Sequence, residues 1–191
     1  MIRWCFLVSA LLFGVVSTMP SADIGPDSIR TDQLRTGDIM FLHGRSLRSS
    51  VVRLLERYST DYSHVGLIIV EQGVPHVVHA DPEAGHVVEQ RWDSIVTPER
   101  VSGGAVYRVR GAGRETAMTA GLTALAYERA AIPFDDRFDL RSEDALYCTE
   151  LVLRAYRSAG MDVVMDAETL HPRLLPSHLL DAGGLEEVLR F

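Results

Sequence analysis

The chain of 191 residues contains no lysine and no asparagine, and all 19 of its basic residues are arginine. A lysine Schiff base, a P-loop lysine and a lysine general base are therefore excluded. So are N-glycosylation, which needs an Asn acceptor, and an asparagine as orienting member of a Cys-His-Asn triad. Positive charge is also scarce, since 26 acidic residues leave a formal net charge of −7. A nucleic-acid binder needs a basic patch to neutralise phosphates, and this balance argues against one.

Long apolar runs are confined to one place. The stretch from Cys5 to Val16 is too short to span a bilayer, which takes about 20 residues. With Arg3 before it and small residues at Ser17 and Ala22 after it, residues 1–22 read as a secretory signal peptide. Residues 23–191 then form one domain of ordinary length. The expected location is the periplasm or the cell exterior, with no stable membrane span after processing. Removing the signal removes Cys5 and leaves Cys148 without an internal disulfide partner. A lone thiol in an oxidising compartment is either packed away or kept for its chemistry.

Hydropathy and turn residues divide the mature chain. Thr36-Gly37-Asp38 reads as a turn before a strand from Ile39 to Leu42. Ser46 can cap a helix to Arg57 with Val51, Leu54 and Leu55 inward. Ser63 to Glu71 and Val74 to Ala80 read as a hairpin turning at Gln72-Gly73. Further strands are expected at Val87 to Gln90 and Ala105 to Val109. The stretch from Glu115 to Ala130 reads as a helix with Met118, Leu122, Leu125 and Ala126 on one stripe. A loop from Ile132 to Glu143 leads to a helix from Asp144 to Ala159, stopped by Gly160. A short helix and a last strand complete an α+β architecture.

Asp144 as N-cap would put Cys148 in the first or second helical turn, where the partial positive charge of a helix start favours a thiolate. Cys148 also heads the stripe Leu151, Val152, Ala155 and Ala159, so simple core packing accounts for it equally well. The histidines add weight to a site. If Gln72-Gly73 is a two-residue turn, Glu71 pairs with Val74, Gly66 faces His79, and His64 faces Asp81. All four then share one sheet face, while Val65, Leu67 and Ile69 occupy the other. Covered by the Cys148 helix, that face would align a thiol, a base (His64) and an orienting group (His79, or Asp81 in its place). His76, His79, Asp81, Glu83 and His86 are also metal-ligand types, but His76 and His79 are three apart and point to opposite sides of a strand. No metal site and no cofactor is read from the sequence.

Three segments carry a family likeness. Leu34-Arg35-Thr36-Gly37-Asp38-Ile39-Met40-Phe41, then Tyr62-Ser63-His64-Val65-Gly66-Leu67-Ile68, then Tyr147-Cys148-Thr149-Glu150-Leu151-Val152 resemble the permuted NlpC-like papain-fold hydrolases of the YaeF/YiiX type. The loop Phe134-Asp135-Asp136-Arg137-Phe138-Asp139 precedes the cysteine, as in that family. The resemblance implies a circularly permuted papain-like (NlpC-like) fold, an antiparallel sheet against helices with the Cys helix late in the chain. It implies Cys148 as nucleophile and His64 as base. Many permuted members carry Glu at the third position; here Val77-Val78-His79-Ala80 puts His79 there, as unpermuted relatives often do. Tyr147 and Asp81 are candidate substrate contacts. Gly37 and Asp38 are expected to shape the strand entry, and Asp135 and Asp139 the loop or cleft rim.

The expected activity is a cysteine amidase or peptidase acting through an acyl-enzyme on a peptide amide, as in cell-wall peptides. The alternatives are a lipid N-acyl or ester hydrolase or acyltransferase at the same site, or a binding module whose site has degenerated.

Overall fold

Gln72 and Gly73 both adopt left-handed φ, 52° and 81°. That is the requirement of a type I′ turn, whose twist suits the strands it joins. The turn links β2 (His64–Glu71) to β3 (Val74–Asp81) and pairs Glu71 with Val74 and Leu67 with Val78, as the alternation in the sequence requires. This is a computed structural model that describes residues 29–45, 62–170 and 173–191. Residues 1–22, read as a signal peptide, and the helix expected from Ser46 to Arg57 lie outside the described residues.

The hairpin belongs to a six-stranded antiparallel sheet. Its other strands are β1 (Ile39–Gly44), β4 (His86–Arg91), β5 (Val101–Val109) and β6 (Leu185–Arg190), in the order β4-β3-β2-β1-β5-β6. The helices are α1 (Trp92–Ile95), α2 (Arg114–Arg129), α3 (Cys148–Ser158), α4 (Ala167–Leu170) and α5 (Pro176–Asp181). The fold is α+β with the Cys-bearing helix late in the chain.

Strand alternation sorts the apolar residues into two cores. Ile39, Phe41, Val65, Leu67, Ile69, Val78 and Ala80 pack with α2 and α3. Met40, Leu42, Ile68, Val77 and Val106 pack on the reverse with Trp92, Ile95 and Val96. His79 follows Val77 by two and so shares that reverse face, as does His64, which pairs with Leu42. The helix bearing Cys148 therefore does not cover the histidine face, contrary to the sequence reading. It lies on the opposite, aliphatic face, because the apolar stripe Leu151, Val152 and Ala155 is buried only against an apolar surface.

Two helices differ from expectation in detail. The buried face of α2 is Ala120, Gly121, Ala124 and Leu125, while Met118 and Leu122 are exposed. The cause is close approach to the sheet: a Cβ on Gly121 would lie 2.6 Å from Thr36 Cγ2 and 3.0 Å from Ile69 Cδ1. Small residues are selected there, and the larger Met and Leu turn outward. The Cys helix begins at Cys148, with Tyr147 as N-cap, not at Asp144. The preceding residues are held extended, since Leu146 N donates to Pro133 O and Asp135 N donates to Leu146 O.

At the entry to β1, Asp38 is buried and accepts from Arg108 Nε and Nη2 at 2.8 and 2.7 Å and from Arg35 N at 2.8 Å. This forked ion pair ties β1 to β5. Gly37 has φ 94°, and a Cβ there would lie 2.7 Å from Ala117 Cβ.

Gly66 sits between the two histidine-bearing strands, where a Cβ would stand 2.6 Å from Val77 Cγ1 and 3.1 Å from His79 Cβ. Gly66→Ala is expected to cost about 1–3 kcal/mol by overpacking. Urea unfolding should show a lower midpoint with an unchanged slope. A loss below about 0.5 kcal/mol, the range of ordinary surface changes, would show that the strands part freely there.

Candidate active site

Cys148 is the first residue of the eleven-residue α3 and keeps 8% of its surface. The first N–H groups of a helix have no partner within the helix and face outward, so the Cys148 thiol stands at the positive end of the helix dipole. Behind it, Glu150 is fully buried. Its carboxylate accepts from Tyr147 N at 3.4 Å and pairs with Arg154 Nη2 at 2.5 Å. Burial pushes the Glu150 carboxyl up to about 7, against the opposing pull of Arg154.

Three connections place this helix start. Tyr156 Oη donates to Gly37 O at 2.6 Å, and Gly37 N donates to Ile68 O at 2.9 Å, so the second half of α3 lies over the later part of β2. Cys148 is eight residues earlier, about 12 Å along a helix. His64 is four residues before Ile68, about 13 Å along a strand. Leu146 N bonds Pro133 O, Pro133 bridges to His86, and His86 pairs with Asp81. The thiol, His64 and Asp81 therefore stand at the same end of the sheet. Because α3 lies on the aliphatic face, thiol and imidazole belong to opposite faces of the sheet at this shared end, and not to its middle.

The histidines meet directly. His64 Nε2 lies 2.9 Å from His79 Nδ1, with the rings edge to face at 87°. Gly66 provides the gap between them. His64 Nδ1 is the ring nitrogen that does not face His79. Burial pushes both imidazoles well below the ordinary value for histidine. The neighbouring His79 adds to this for His64. For His79, Asp81 and Gln90 oppose it and Arg100 adds to it. Both rings are neutral near pH 7, the state in which His64 accepts a proton.

The remaining candidates take other positions. Tyr147 is buried, its hydroxyl accepts from Leu174 N at 2.9 Å, and its ring packs on Phe138. It forms a wall behind the helix start. Asp81 is half-buried, and its Oδ1 accepts from Glu83 N at 2.8 Å. Asp135 is buried and organises its loop by accepting from the backbone N–H groups of Arg137 and Asp139, both at 2.8 Å. His76 pairs with Glu89 at 2.9 Å on the helix-covered face, away from His79. Among the described residues no group of three or more His, Cys, Asp and Glu could hold a metal ion. Glu150 was not singled out from sequence; its signal was a glutamate at the third helical position inside the cysteine motif.

Comparison with known proteins agrees with the fold. A family described as "Permuted papain-like amidase enzyme, YaeF/YiiX, C92 family" matches residues 33–187. "Uncharacterized protein YiiX" of Escherichia coli strain K12 is 33% identical over 132 residues, which are 69% of this chain and 62% of that protein. The chain thus matches less than two thirds of that relative's length. A crystal structure titled "metalloprotein yiiX from Escherichia coli O157:H7" superposes with a TM-score of 0.67 at 27% identity, covering 82% of this chain and 97% of that one.

The buried imidazoles make stability depend on pH. The unfolded chain takes up protons near 6.5 and the folded rings resist them, so these two groups stabilise fully above 6.5 and progressively less as pH falls. Glu150 works in the opposite sense, because its folded value is raised. The urea midpoint should therefore fall more steeply between pH 7 and 5 in the wild type than in a His64→Gln/His79→Gln double variant. Equal slopes would show that the rings titrate freely in the folded protein.

Proposed function

The chain belongs to the permuted papain-like amidase family, and from that premise we propose that it is a cysteine hydrolase that cleaves an amide through a thioester on Cys148. What supports this reading is a thiol at a helix N-terminus together with a hydrogen-bonded pair of neutral imidazoles, His79 buried and His64 half-buried. His64 Nδ1 accepts the thiol proton. The sulfur bonds the carbonyl carbon, and the oxyanion develops at the N-terminus of α3, where the backbone N–H of Cys148 and the positive end of the helix dipole stabilise it. Collapse breaks the C–N bond, and the proton on His64 passes to the departing amine. Water then attacks the thioester with His64 again as base, releasing the acid and restoring the thiol. His79 orients the His64 ring through Nδ1. It takes the place of the asparagine that this chain lacks.

The proposed substrates are peptide amides of the cell wall, met by an exported protein in the periplasm or outside the cell. An N-acyl lipid would be processed by the same steps, and a substrate panel separates the two. The relative's title calls it a metalloprotein. The described residues of this chain do not supply a ligand set for a metal ion, and no step is assigned to one.

Iodoacetamide labelling tests the pair without knowledge of the substrate. Cys148 should alkylate near pH 7 at least about tenfold faster than a free thiol, and His64→Ala should remove that advantage. Alkylation at the free-thiol rate, unchanged in His64→Ala, would contradict the catalytic pair and favour a binding module.

A further inference from the structure

The His64–His79 bond can run in either direction, and only one direction leaves His64 a base. A neutral imidazole has one donor and one acceptor nitrogen. If His64 Nε2–H donates to His79 Nδ1, then His64 Nδ1 carries a lone pair for the thiol proton. If the bond runs the other way, His64 Nδ1 carries a hydrogen and the site is inert as a base. The choice is therefore made at the far nitrogen of His79. That nitrogen, Nε2, is buried and has no partner within hydrogen-bonding geometry. An unsatisfied buried nitrogen is destabilising, so its surroundings bear on the tautomer.

Strand register identifies what faces it. His79 pairs with Val88 and Val77 pairs with Gln90. Directly opposed residues share a face, and so do residues two apart. Gln90 therefore projects from β4 on the same face as His79, diagonally adjacent to it. Arg100 Nη1 donates to Gln90 Oε1 at 3.4 Å, and an amide oxygen has a second lone pair to offer. The effect of Gln90 on His79 is to favour the protonated ring. Arg100 donates to the amide oxygen, and an oxygen is the acceptor that a ring N–H needs. The other charged groups around His79 are Asp81 on its own strand and Arg100 beyond β4.

We propose that Gln90 is a positioning residue for the reaction: its amide oxygen, braced by Arg100, accepts from His79 Nε2–H and so directs the His64 Nε2–H bond onto His79, leaving His64 Nδ1 free as the base. Gln90 acts at one remove, through His79, and touches neither thiol nor substrate. The proposal rests on the cysteine-hydrolase reading above, and its test separates the two. Nitrogen-15 NMR of the imidazole rings in the full chain should show both His64 and His79 with hydrogen on Nε2. Gln90→Leu should shift His79 and His64 toward the other tautomer and slow Cys148 alkylation roughly tenfold or more with the urea midpoint little changed. Gln90→Glu, which keeps an acceptor, should retain the wild-type tautomers and labelling rate. A wild-type His64 with hydrogen on Nδ1, or wild-type tautomers in Gln90→Leu, overturns the proposal. If the tautomers behave as stated but wild-type Cys148 labels no faster than a free thiol, the role of Gln90 stands and the hydrolase reading fails.

Discussion

The register of one hairpin is the constraint on which the site depends. Gln72 and Gly73 accept positive φ and close the turn in two residues, so Glu71 meets Val74 and the count back to Gly66 and His79 is determined. One residue more or less would turn His79 to the helix-covered side, because side chains alternate with a period of two. Gly66 then contributes by absence, since any side chain there would occupy the space that the two rings need.

A second constraint acts on the thiol. The loop before α3 is sewn to the β3–β4 end through Pro133, Phe134 and Leu146, and the far part of the helix is pinned to the β1 entry by Tyr156 and Gly37. Helix start and strand start are thereby brought level from two directions. Chain order does not matter to this arrangement. The Cys helix follows the histidine strands here, and a triad is defined by geometry and not by chain order. What burial does electrostatically is equally local. Both imidazoles are kept neutral and available, and Glu150 is lifted toward neutrality beneath the helix start.

Much of this was legible in the residues. The hairpin, its turn and the shared face of His64 and His79 followed from alternation and a Gln-Gly pair. The stripe of α3 followed from helical spacing. The covering of the sheet was not legible in the same way. The histidine face was expected beneath the Cys helix, but the helix needs the aliphatic face of Val65, Leu67 and Ile69 for its own burial. The start of α3 lies at Cys148 and not at Asp144, because an isolated capping residue is a local signal. Here it was overridden by the long-range bonds at Leu146 and Asp135. The α2 stripe failed for a related reason, as close approach at Gly121 favours small residues over Met118 and Leu122. Gln90 carries no motif at all; it becomes visible only once the β3–β4 register is known.

The central claim is that Cys148 forms the covalent intermediate. Acid quenching of the protein with an activated acyl substrate, followed by intact-mass and peptide mass spectrometry, tests it most directly. The account predicts a transient gain of one acyl group, mapped to Cys148 and absent in Cys148→Ser. Turnover with no adduct, or an adduct mapped to another residue, would contradict it.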